Sequence, residues 1–70
     1  MDNDERLARI QARARAARRS YWRGWALRQG AFKREAERIA AALERQLQEG
    51  RAPTMADQWV VLRWYAQGVA

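Results

Sequence analysis

Seventy residues with no cysteine, no histidine and a single proline fit one small domain and rule out a disulfide or a histidine-ligated metal as its staple. Fourteen basic side chains, all arginine except Lys33, stand against eight acids for a net charge of +6, which points to an anionic or acidic-surfaced partner. The longest apolar run, Ile39-Ala40-Ala41-Ala42-Leu43, falls far short of the roughly 20 residues of a membrane span.

The chain opens on Met1-Asp2-Asn3-Asp4-Glu5, too acidic and polar for a signal peptide. Asp2 with Glu5 reads as a helix-capping pair, and acids are favoured at a helix N-terminus. From there Ala, Arg, Glu, Gln and Leu dominate and proline is absent until Pro53, so helix propensity is high throughout. Leu7, Ile10, Ala14, Ala17, Tyr21, Trp25, Phe32, Ala36, Ile39, Leu43 and Leu47 recur at steps of three, four or seven. At 100° per residue they form one slowly drifting stripe.

That stripe passes Gly24 and Gly30 in phase, and each glycine costs a continuous helix about 1 kcal/mol. A break near Gly30 would start a second helix with no Ser, Thr, Asp or Asn nearby to cap it. The pattern therefore predicts one long helix over about 4–49, kinked or broken near Gly30 if anywhere. Arg45 in the last turn, Gly50 as cap and Pro53 beyond predict its end. Thr54 with Asp57 then opens a short C-terminal helix over about 55–67, closed by Gly68. Its core face is expected to carry Met55, Trp59, Leu62, Tyr65, Ala66 and Val69.

The expected architecture is all-α, a single domain over 1–70. A helix over 4–49 would be about 70 Å long, and the short helix would cover about 20 Å of it. The uncovered seam then calls for a second copy, in a homodimeric helical bundle. The alternative is a hairpin at Gly30 that closes the seam within a three-helix monomer.

Catalysis has few places to reside. The only serine is Ser20, the only threonine Thr54 and the only lysine Lys33, and without His or Cys no nucleophile–base pair can form. Gly24 and Gly30 are isolated, not a phosphate-cradling loop. Glu35 and Glu37 stand two apart and point to different sides of a helix. No enzyme, cofactor or metal is expected, and the absence of cysteine suits a cytoplasmic protein.

Binding is the function left. Arg6 to Arg34 holds ten basic residues and no acid, whereas Glu35 onward holds four basic against five acidic. Trp22 and Trp64 fall off the predicted core faces, while Trp25 and Trp59 fall on them. Exposed tryptophan beside arginine is the composition of a protein–protein hot spot. The first expectation is thus a small regulatory or inhibitory protein that occludes an acidic-surfaced protein partner through Arg15, Arg19, Trp22, Arg23 and Trp64. Phage-encoded modifiers of host machinery have this physique.

The alternative is a nucleic-acid-binding regulator, DNA or RNA, using Arg9, Arg13, Arg18, Arg28, Lys33 and Arg34 on the basic helix. Arginine forks match phosphates and guanine edges, and aromatics stack on unpaired bases. Arg18-Arg19-Ser20-Tyr21-Trp22 resembles, in composition alone, the arginine-rich segments of small phage antitermination proteins. A membrane surface is a poorer match, because the apolar stripe is thin and rich in alanine.

Overall fold

Gly30 divides the long helix in two. The computed structural model describes residues 3–66, which form α1 (Asn3–Arg28), α2 (Lys33–Gln48) and α3 (Met55–Tyr65). Gly30 adopts φ 102°, in the left-handed region that a side chain disfavours. The Gly30 N–H donates to the Leu27 carbonyl at 3.0 Å and the Ala31 N–H to the Ala26 carbonyl at 3.1 Å. This is a Schellman stop, sealed by the burial of both alanines.

The missing cap residue that argued against a second helix is replaced from inside it. Phe32, at the N-cap, has no side-chain acceptor, but the Glu35 carboxylate accepts the Phe32 N–H at 2.8 Å. Half a capping box suffices when packing supplies the rest. Gly50, at φ 90°, repeats the Schellman stop after α2, as its position in the sequence predicts.

The start of α3 follows the sequence closely. Thr54 Oγ1 accepts the Asp57 N–H at 3.1 Å, and Asp57 Oδ2 accepts the Thr54 N–H at 2.9 Å. These bonds from Thr54, with smaller help from Arg51, hold the Asp57 carboxyl below its ordinary pKa. Asp2, Gly68 and Val69, assigned roles in capping, helix closure and core, lie outside the described residues.

Packing is asymmetric. The α2 helix packs against α1, and α3 packs against α2, in a body whose longest dimension is 49 Å. Among the described residues no helix is long and apolar enough to cross a membrane. The core gathers Trp22, Trp25 and Ala26 from α1, Ala36, Ile39, Ala40 and Leu43 from α2, and Val61 and Leu62 from α3, with Ala66 just beyond. Trp25 meets Trp59 edge-on, with ring centroids 5.3 Å apart at 76°, a favoured aromatic geometry.

Two helical faces are rotated from expectation. On α1 the buried positions are Trp22, Trp25 and Ala26, with Ala14, Arg18 and Gly24 half-buried, a face turned by roughly 50° from the predicted stripe at 100° per residue. Leu7, Ile10, Ala17 and Tyr21 are exposed. The hairpin explains this: α2, about 24 Å long, can cover only the C-terminal part of α1, which is about 39 Å long. There the two tryptophans offer the greatest area to bury. Beyond α2, residues 3–13 are all exposed, an overhanging arm. On α3 the buried positions are Gln58, Val61, Leu62 and Ala66, while Met55 and Trp59 stay partly in solvent. Gln58 Oε1 is buried without a hydrogen-bond partner; we have no physical account of it.

Candidate nucleic-acid interface

Two of the arginines have ionic partners in the fold. Arg18 reaches across the hairpin with both Nε and Nη2 at 3.4 Å from the Glu44 carboxylate. Glu44 is buried, and a buried carboxylate requires such a partner. Arg18 is therefore a structural cation rather than a free contact for nucleic acid. Arg23 pairs with Glu37 at 3.0 Å, with both side chains about half exposed. An exposed pair of this kind contributes about 0–1 kcal/mol, so a phosphate can compete for Arg23.

The remaining α1 cations lie on two sides of the helix. Arg6, Arg9, Arg13, Arg15 and Arg19 are all exposed, and no ion pair joins any of them to another described residue. Helical spacing sets Arg6, Arg9 and Arg13 on the outer side of α1, away from α2, and Arg19 and Arg23 continue along its flank. Arg28, Lys33 and Arg34 are also exposed, around the turn at Gly30.

The proposed Arg/Trp surface is not assembled. Trp22 is only 7 % exposed and belongs to the core, a correction to its expected outward position. The reason is the rotation of α1, which brings Trp22 into the core beside Trp25. Trp64 is 75 % exposed, as expected, but it lines a groove between α2 and α3 with Val60, Arg45 and Arg51. None of Arg15, Arg19 and Arg23 lines that groove.

Sequence reasoning missed Phe32, Arg38 and Tyr65 as site residues; they come together where the start of α2 meets the end of α3. The apolar spacing places Phe32 in the buried seam, yet it is 75 % exposed. The signal for it was present: Phe32-Lys33-Arg34-Glu35 carries the glutamate spacing of a capping box. The Arg18–Glu44 pair, by contrast, spans 26 residues and no local pattern announces it. Comparison with family models, with curated proteins and with solved structures found no match.

Proposed function

We propose that this chain is a non-catalytic nucleic-acid-binding protein that lays the outer side of α1 along a phosphate backbone. The observation that carries the reading is the outer row Arg6, Arg9 and Arg13, exposed and with no ionic partner among the described residues. Arg9 with Arg13, and Arg15 with Arg19, stand four residues apart on α1. Like charges at that spacing destabilise a helix by about 0.2–0.5 kcal/mol per pair. A polyanion removes that penalty and adds forked hydrogen bonds. A helix free of neighbours along its first three turns also has the slim profile that a groove or backbone accepts.

The test is binding of labelled DNA and RNA by fluorescence anisotropy across a salt series. Affinity should fall steeply with salt as neutralised phosphates release counterions. The double variant Arg9→Gln, Arg13→Gln should lower the log–log salt slope by about one unit per arginine. Failure to bind either nucleic acid at low salt would end the reading. The absence of His and Cys supports a non-enzymatic role, and a cytoplasmic setting goes with it as part of the same proposal.

One observation favours a second reading. Trp64 and Val60 are the most exposed apolar side chains of α3 and stand beside Arg45 and Arg51. An exposed Trp–Arg cluster suits a protein partner that this chain would occlude. Trp64→Ala should then abolish capture of that partner while leaving the salt-dependent binding of nucleic acid intact. We further propose that the stripe of exposed Leu7, Ile10, Ala17 and Tyr21, with half-buried Ala14 among them, pairs two copies of the chain.

A further inference from the structure

We propose that the elbow between α1 and α2 binds an unpaired stretch of nucleic acid, with a base stacked on Phe32. The proposal rests on the polyanion reading and names which form of nucleic acid is preferred. Its support is a groove on the molecule's surface, separate from the overhanging arm.

Three adjoining hollows make up that groove. The first is lined by Ala16, Arg19, Ser20, Arg23 and Glu37. The second shares Arg23 and Glu37 and adds Leu27 and Lys33. The third shares Lys33 and adds Phe32, Arg34, Glu35, Arg38 and Tyr65. A chain of cations thus runs from Arg19 and Arg23 through Lys33 to Arg34 and Arg38. It follows the α1–α2 junction as far as Lys33, then turns onto the start of α2, where Phe32 and Tyr65 of α3 form an aromatic wall. A positively charged groove that tracks a backbone beside aromatic stacking platforms is the pattern of single-strand binding.

The two acids in the groove are occupied. Glu37 faces Arg23 at 3.0 Å, and the Glu35 carboxylate accepts the Phe32 N–H at 2.8 Å. The second bond does more than quiet a charge. It fixes the backbone beneath Phe32, so the exposed ring stands on a braced turn and loses little freedom on stacking. A duplex keeps its base faces stacked internally and can offer the groove only phosphates. An unpaired strand offers both phosphates and base faces.

The experiment compares an unstructured pyrimidine homopolymer with a duplex of equal length by anisotropy, at one salt concentration. Wild type, Phe32→Ala, Phe32→Tyr and the Arg9→Gln, Arg13→Gln double variant are titrated side by side. Phe32→Ala should weaken binding of the single strand about tenfold to a hundredfold and leave duplex binding unchanged. Phe32→Tyr keeps the ring and should keep the preference. Because Phe32 is so exposed, its truncation leaves the core intact, and a retained helical circular-dichroism spectrum checks this. The double arginine variant should weaken both ligands together. Unchanged single-strand binding by Phe32→Ala, or equal losses for strand and duplex, would overturn the stacking site while sparing the polyanion reading. Failure of the wild type to bind either would remove both.

Discussion

Trp22 and Trp64 share a side chain and little else. Both were read from the sequence as surplus to the core, yet one is packed between α1 and α2 and the other stands in solvent. Truncating a buried tryptophan removes its transfer free energy and leaves a cavity, a loss of about 3–5 kcal/mol. A core with only Ile39, Leu43 and Leu62 as large, fully enclosed side chains has little stability to spare. We therefore expect Trp22→Ala to abolish the cooperative urea transition of the isolated chain. Trp64→Ala should shift the same transition by less than about 0.5 kcal/mol, as an exposed change does. Equal midpoints for the two variants would show that Trp22 is not in the core.

At the scale of the helices the contrast lies between two glycines. Gly24 is within α1, and a Cβ there would meet only Arg28 Nη1 at 3.4 Å, an ordinary contact. Gly24→Ala should accordingly stabilise the chain by about 0.5–1 kcal/mol. Gly30, at φ 102°, holds the turn on which the hairpin depends. Gly30→Ala should cost about 1 kcal/mol or more, read as a lowered midpoint in the same urea unfolding. If the helix ran unbroken through residue 30, both substitutions would stabilise. The sequence carries the same lesson. Stops at Gly50 and starts at Thr54 are legible because their hydrogen bonds are local, three to five residues long. The break at Gly30 was less so, since the apolar stripe crosses it in phase and Glu35 caps from an unusual direction. Which side of α1 meets α2 was not legible. It depends on the path of the turn and on the competition between two tryptophans and a longer line of smaller apolar residues. For the same reason the basic row could be read from composition, whereas the groove that ends on Phe32 could not.

For the whole molecule, the hairpin shelters the apolar stripe at Trp25 and from Ala36 onward, leaving Phe32 exposed. Leu7, Ile10 and Tyr21 remain 53 %, 57 % and 58 % exposed, on a helix whose first eleven described residues touch no other element closely enough to be shielded. Covering these side chains with the same stripe of a second copy would remove apolar area from water at about 25 cal/mol per Å². It would add to a slight core in the way small domains commonly require. Opposing it, Arg6 and Arg13 flank the stripe, so two like-charged surfaces must approach. The two associations proposed for this chain thus respond to salt in opposite senses. Self-association should strengthen as salt screens the arginines, while nucleic-acid binding weakens. The expected result is a light-scattering mass that rises from one chain toward two with protein concentration and with salt. The thermal midpoint should rise with protein concentration, as linkage to a dimer requires. Ile10→Asp, at an exposed position outside the core, should hold the mass at one chain without lowering the midpoint measured at high dilution. A mass of one chain at every concentration and salt would mean that the arm stands alone, and that Leu7 and Ile10 are free for whatever the arginines beside them bind.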